Sequence, residues 1–281
     1  MSDQKEIDLK ADHKGLAVAT DQKGTAIAAG QKGLALVTGA SGALGAAIAL
    51  RLSGMGYDLG LHYHTNRDKA EKVREAIAAK GGRSTLYQAD LAEEKELVEL
   101  FAGIERDRSD LTVLVNNAAC LIEHPLFFLD RPDIEKITAI NQWAAYYCLK
   151  AASRMMCRNG KGYIVNIGSL SEHLPLMGQI GYSMSKAALT GLTRSAAMEL
   201  SRFGITVNSV TPGPLAGDGL AAGSNHKPNG AGKANRIPGP EDVAACVGFL
   251  CSGDAGFITG QSIIVDGGLS LTSSVTYSAN I

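Results

Sequence analysis

The sequence predicts an α/β protein built on a parallel sheet with helices packed on both faces. Three observations carry that expectation. Short apolar runs alternate with longer segments of helical composition, the pattern of strands joined by crossover helices. The first apolar run ends in a glycine-rich turn that opens a helix. The chain has 281 residues, 45% of them hydrophobic, which is enough for a large core and compatible with one α/β domain.

Charge and cysteine usage narrow the classes of function. The formal net charge is −1, so nothing electrostatic recommends a nucleic acid or a membrane surface as partner. Cys120, Cys148, Cys157, Cys246 and Cys251 form no Cys-x-x-Cys pair and read as reduced, mostly buried thiols of a cytoplasmic protein. No apolar run approaches the roughly 18–20 residues of a membrane span. The start, Met-Ser-Asp-Gln-Lys-Glu, lacks the basic-then-apolar plan of a signal peptide.

Residues 1–32 are expected to form an extension to a main domain spanning 33–281. Lys14-Gly-Leu-Ala, Lys23-Gly-Thr-Ala and Lys32-Gly-Leu-Ala recur at nine-residue spacing, too short for a solenoid repeat. Apolar stretches at 16–20 and 25–29 flank a glycine-containing turn, which fits a hairpin. A flexible arm that orders against another subunit fits equally.

The nucleotide hypothesis starts at 34–38. This first strand runs into Gly39-Ala-Ser41-Gly42-Ala-Leu44-Gly45, and 46–53 has helical composition. The glycines allow a sharp turn and let a pyrophosphate reach the helix N-terminus, where free N–H groups and the dipole favour negative charge. A second strand is expected at 58–63 and a helix at 68–80. Between them lie His64, Thr65, Asn66 and Arg67, with no acidic residue to bind a ribose 2′-hydroxyl. An arginine and neutral donors accept a 2′-phosphate, so NADPH is expected over NADH. A third strand at 84–88 leads into Asp90 and Leu91, expected to place a carboxylate and a backbone amide near the adenine. Then come an amphipathic helix at 93–106, with Leu97, Leu100, Phe101 and Ile104 on one stripe, and a fourth strand at 111–115. That strand ends at Asn116-Asn117-Ala118-Ala119.

The chemistry is expected at Tyr182-Ser-Met-Ser-Lys186, with Ser169 thirteen residues before the tyrosine at the end of an apolar run over 163–167. On a helix, Tyr182 and Lys186 share one face. A phenol keeps its proton to about pH 10. An ammonium one turn away favours the phenolate, which suits proton transfer to or from an alcohol oxygen. A strand-end hydroxyl would hold the same oxygen. Alone, Tyr-x-x-x-Lys also fits an ordinary amphipathic helix with a solvated lysine.

In combination, these residues resemble the short-chain dehydrogenase/reductase family. The Thr38-Gly-x-x-x-Ala-x-Gly45 turn, Asn116-Asn-Ala-Ala119, Asn141, Ser169, Tyr182 and Lys186 follow its order and spacing. Asn208-Ser-Val-Thr-Pro212-Gly213 and the closing Gly260-Gln-Ser-Ile-Ile-Val-Asp-Gly-Gly268 match its later landmarks. The resemblance covers about residues 33–270 and implies a single Rossmann-type, doubly wound domain, a nicotinamide cofactor and a homotetramer or dimer. It makes Tyr182 the acid/base, gives Lys186 the tyrosine's pKa and the nicotinamide ribose, and assigns Ser169 to the substrate carbonyl. Asn141 would sit mid-helix and support a water chain to Lys186; a helix-bending bond to backbone is compatible with that role, and in this family both can hold at once. Cofactor contacts are implied for Gly39, Ser41, Gly42, Leu44, Gly45, Asn117, Ala118, Ala119, Pro212, Gly213 and Leu215. Ala43 replaces a usual glycine and Ala119 another, each adding one methyl beside the cofactor.

On the substrate side, helices are expected at 132–158 and 182–203 and a sixth strand at 205–210. Trp143, Tyr146 and Tyr147 read as core or interface. The Gly-, Ala- and Asn-rich stretch 215–238 reads as a lid over the cleft or as a plain surface loop. Its lack of bulky apolar groups favours a substrate on a carrier arm, or a small ketone, over a free lipid. The pattern is most similar to 3-oxoacyl-carrier-protein reductases. For an acidic carrier, Arg158, Lys161, Arg194, Arg202 and Lys227 are candidate docking residues, or simply a solvated face. Phe203 stands where that group commonly has a docking arginine. Leu61-His-Tyr-His64 is similar to pteridine reductases, so a free pterin, sugar, polyol or quinone is the alternative substrate. A silent NADP(H)-binding sensor is the non-enzymatic one.

Overall fold

A computed structural model of the chain describes residues 32–216 and 237–271. Seven strands pair in parallel in the order β3-β2-β1-β4-β5-β6-β7. They are β1 (Leu34–Val37), β2 (Asp58–Tyr63), β3 (Ser84–Gln88), β4 (Leu111–Asn116), β5 (Gly162–Ile167), β6 (Ile205–Pro212) and β7 (Ser262–Val265). The helices between them are α1 (Ala43–Gly54), α2 (Arg67–Ala78), α3 (Glu94–Asp107), α4 (Arg131–Thr138), α5 (Ala144–Asn159), α6 (Ile180–Leu200) and α7 (Pro240–Leu250). This is the covered parallel sheet expected from the alternating pattern, in the Rossmann-like arrangement that the family resemblance implies.

The central strands β1 and β4 are largely apolar because both faces of the sheet are covered. Ala35, Val37, Leu59, Leu61, Val113 and Val165 pack under α1, α2 and α7, whose Ile48, Leu52, Ile77 and Val247 are fully buried. Leu34, Leu36, Leu114, Ile164 and Val207 point the other way, onto Ile104 of α3 and Met156 of α5. Successive residues of one strand thus feed two different cores.

Two departures from the expected elements matter for the site. The helix expected at 132–158 is two helices, α4 and α5, joined by a π-helical turn over Ala139–Trp143. The widened turn carries Asn141, whose side chain is bonded to a neighbouring loop instead of lying along a regular helix face. Trp143 and Tyr146 are not core: Trp143 is 55% exposed and stacks edge-on to Tyr146.

The extension expected at 1–32 falls outside the described residues apart from Lys32. So does most of the expected lid, of which Leu215, Ala216, Ile237 and Pro238 are described. Those ends meet: the Ala216 N–H donates to the Pro238 carbonyl at 2.9 Å.

At the opposite edge, the N-terminal ends of three strands are tied by ions. Asp58, opening β2, accepts from Arg83 Nε (3.1 Å) and Nη2 (2.8 Å) and from Arg108 Nη1 (2.6 Å). Arg108 in turn grips Asp110, just before β4, at 2.8 and 2.7 Å. Because Asp58 is buried, Asp58→Asn is expected to lower unfolding stability by about 2–3 kcal/mol in urea titration, since it removes the charge that Arg83 and Arg108 share and leaves Arg108 only Asp110. Nucleotide affinity at the far ends of the strands should be unchanged.

Candidate active site

Strand order reverses between β1 and β4, so the loops leaving their C-terminal ends diverge and open a crevice. Both walls are pinned through Thr38. Its hydroxyl accepts the N–H of Asn117 (2.9 Å) and of Ala118 (3.0 Å). The Asn117 amide returns the link, donating to the carbonyls of Thr38 (2.8 Å) and Gly39 (3.2 Å). The Asn117 side chain therefore shapes the crevice rather than projecting into it.

The glycine turn is held from behind by His62. The Gly39 N–H donates to His62 Nδ1 at 3.1 Å, which puts the ring proton on Nε2, 3.0 Å from the Ala89 carbonyl. Burial pushes the imidazole down to about 4, so the ring is neutral at physiological pH. Two glycines are required on geometric grounds. Gly39 has φ +65°, and a Cβ there would stand 3.0 Å from Ala118 Cα. A Cβ on Gly45 would lie 2.3 Å from the Gly39 carbonyl oxygen. Gly42 precedes α1 and caps it with no side chain, and Gly42 and Ala43 are exposed. The first-turn amides of a twelve-residue helix thus face a crevice that no Cβ obstructs, which fits the pyrophosphate of a dinucleotide. Ala43 and Ala119, the two residues that replace glycines, are both exposed.

At the end of β2, His64, Thr65, Asn66 and Arg67 are all exposed, and Arg67 is the first residue of α2. The Asp90 carboxylate lies 3.5 Å from His64 Nε2. The Asp90 N–H donates to Glu96 Oε2 at 2.6 Å, so that amide is already committed. Leu91 and Leu215 are buried in the two cores, which leaves their main chains to face a ligand. Leu44 also packs against the core, and Ser41 lies in the turn itself. Pro212 ends β6, and the Gly213 N–H donates to the Val265 carbonyl at 3.2 Å, tying this rim to β7.

The proton-transfer residues converge where β5 ends and α6 begins. Ser169 follows β5 in an extended conformation, and its Oγ accepts from the Ser171 N–H (3.2 Å) and Ser171 hydroxyl (2.9 Å). A hydroxyl that accepts twice has its own O–H left to donate. Tyr182 lies in the first turn of α6. Lys186 Nζ sits 5.6 Å from the centre of the Tyr182 ring and donates to the Ile167 carbonyl at 2.7 Å. Lys186 is 2% exposed, and desolvation lowers its pKa to about 8 despite the opposing pull of Glu172.

Asn141 takes the backbone-bonding role. Its Oδ1 accepts the Cys120 N–H at 2.7 Å, and its Nδ2 donates to the Cys120 carbonyl at 3.0 Å and to Ser185 Oγ at 2.9 Å. That side chain ties the loop after β4 to α6, and its bonded partner on α6 is Ser185, next to Lys186. Of the candidate docking cations, Arg158 pairs with Glu105, Arg202 lies over the Phe203 ring at 4.8 Å, Lys161 lies over Tyr163, Arg194 is exposed on α6, and Lys227 is outside the described residues.

Sequence reasoning missed Thr38 as a hub, His62, Ser171 and Glu172. It also missed Asn166, which accepts from Asn116 and donates to Thr193 of α6, both at 2.9 Å. Each acts through partners 18 or more residues away, or through a turn with no periodic signature. The exception is Leu61-His-Tyr-His64, where a histidine inside an apolar strand was visible without its partner.

The His62 geometry generates a pH prediction. The unfolded imidazole takes up a proton near pH 6.5 and the folded one near 4, so its contribution is complete above about pH 6.5 and is lost as pH falls towards 4. Measured by urea unfolding, the cost of His62→Gln should therefore be smaller at pH 4.5 than at pH 7.5 by roughly 2–3 kcal/mol.

Comparison with known proteins places this geometry. The profile of the family described as enoyl-(acyl carrier protein) reductase matches residues 39–270. The 3-oxoacyl-[acyl-carrier-protein] reductase FabG of Staphylococcus epidermidis is 36% identical over 233 residues, covering 82% of this chain and 96% of the relative. The 3-oxoacyl-[acyl-carrier-protein] reductase of Synechocystis is 35% identical over 82% of this chain and 94% of its own. The crystal structure of acetoin dehydrogenase from Enterobacter cloacae superposes with a TM-score of 0.79 at 32% identity, covering 88% of this chain and 99% of that one. With its crevice, its Ser169, Tyr182 and Lys186 in family order, and this breadth of likeness, the chain belongs to the short-chain dehydrogenase/reductase family of oxidoreductases.

Proposed function

We propose that the protein is an NADPH-dependent ketoreductase that converts a 3-oxoacyl thioester on a carrier protein to the 3-hydroxyacyl product. The observation that carries the reading is the buried Lys186 ammonium beside the Tyr182 ring, one helical turn on, with a donating Ser169 hydroxyl at the adjoining strand end. A bound dihydronicotinamide supplies hydride to the carbonyl carbon. Ser169 donates a hydrogen bond to the carbonyl oxygen and orients it. Tyr182 gives that oxygen its proton, and the Lys186 charge favours the phenolate left behind. Gly39, Ser41, Gly42, Leu44, Gly45 and the Asn117–Ala119 backbone would hold the dinucleotide, with Lys186 on its ribose. The neutral and cationic His64–Arg67 corner supports the 2′-phosphate form, and the FabG-type relatives support the thioester substrate.

The likeness to a structure named acetoin dehydrogenase supports a second reading, oxidoreduction of a small free ketone or hydroxyketone. Steady-state rates on an acetoacetyl carrier protein and on acetoin, each with both nucleotides, separate the two. The thioester with NADPH should exceed every other pairing in kcat/KM by about tenfold or more. A faster reaction with NADH removes the cofactor assignment, and a faster reaction with acetoin moves the substrate to the second reading.

Tyr182→Phe should lower kcat by about 10³-fold while the NADPH Kd stays within about twofold. Near-normal turnover in that variant would take Tyr182 out of its role. Because the ammonium is lost as pH rises through about 8, kcat/KM for NADPH, which reports the free enzyme, should fall above that pH.

A further inference from the structure

Glu172 is a carboxylate in a place where the described chemistry does not ask for one. It closes the single 3₁₀ turn, Leu170–Glu172, that follows Ser169, and its side chain is 2% exposed. A buried carboxylate is costly unless its oxygens are satisfied. Here Oε1 accepts from Thr211 of β6 (3.2 Å) and Ser262 of β7 (3.4 Å), and Oε2 accepts from Thr190 of α6 (3.1 Å). His173 Nε2 lies 3.1 Å from Oε1 on the solvent side. Thr190 is one helical turn beyond Lys186, so the hydrogen bond from α6 sets the carboxylate against the stretch of helix that carries the ammonium.

We propose that Glu172 is a positioning residue for the Tyr182–Lys186 pair: a fixed negative charge behind the site that keeps the buried Lys186 amine protonated. Lys186 has lost almost all its water, and it donates a hydrogen bond to the neutral Ile167 carbonyl. Around it, α6 contributes the Tyr182 ring, β5 the Ile167 carbonyl, and the π turn Asn141, whose amide is spent on Ser185 and Cys120. Glu172 is held to Thr190, one turn beyond Lys186 on α6, and its carboxylate opposes the desolvation that lowers the Lys186 pKa. The groups in contact with Glu172 itself are His173 from its own turn, Thr190 from α6, Thr211 from β6 and Ser262 from β7. A purely structural knot between α6, β6 and β7 needs hydrogen bonds but no charge. A charge placed here acts on the one buried cation that the proton transfer uses.

The inference rests on Lys186 being the charged member of the proton-transfer set, and its test needs neither nucleotide nor substrate. With lysines labelled at Cε with carbon-13, the Lys186 resonance is assigned by its loss in Lys186→Met and followed from pH 6 to 11. In Glu172→Gln, which keeps the shape and a hydrogen-bonding oxygen, the Lys186 midpoint should fall by about one pH unit or more. The basic limb of kcat/KM should move down with it. An unmoved midpoint in folded Glu172→Gln overturns the proposal, whichever substrate the enzyme proves to use. Should that variant not fold, Glu172→Asp decides: the withdrawn charge should lower the midpoint by a smaller amount in the same direction, and no change again overturns it.

Discussion

The constraint on which the rest of the structure depends is the burial of one ammonium group. A lysine stripped of water inside a protein tends to give up its proton, and Lys186 is shifted in that direction. Its surroundings are arranged around that tension. The Ile167 carbonyl takes its hydrogen bond, the Tyr182 ring lies beside it, and α6 is packed so that the amine reaches the end of β5. Desolvation has a chemical use, because a charge in low dielectric acts more strongly on a neighbouring phenol than the same charge in water.

The nucleotide crevice is built on a related plan, with polar side chains spent on holding backbone. Thr38 and Asn117 lock the ends of β1 and β4 at a set separation, and His62 holds the glycine turn from the β2 side. None of the three needs to touch a ligand to matter. They fix where the free amides of α1 point, and those amides together with the helix dipole attract phosphate. The π turn at Asn141 extends the plan to the substrate side, joining the loop after β4 to α6 beside the reacting groups.

Much of this was legible in the chain. The strands at 58–63 and 84–88 have the bounds expected from the sequence, and the helix expected at 93–106 lies one residue off. Ser169, Tyr182 and Lys186 stand out by spacing, because a strand end and a helix face are local and periodic. The split of 132–158 was not legible, since a π turn differs from an α turn by one residue and is stabilised by Cys120, 21 positions away. Of the two readings of Trp143, core or interface, its exposure removes the first, because aromatic composition does not report which side of a helix meets the core.

The sequence by itself determined the alternation of strand and helix, the glycines where a Cβ would strike backbone, and the order of the reacting groups. These follow from short-range sterics and from periodicities of two and 3.6 residues. Only the tertiary structure decided the tautomer of His62, the pinning role of Asn117, and the meeting of Glu172 with β6, β7 and α6. Those depend on hydrogen-bond partners and desolvation supplied by residues far apart in the chain, to which no local pattern points.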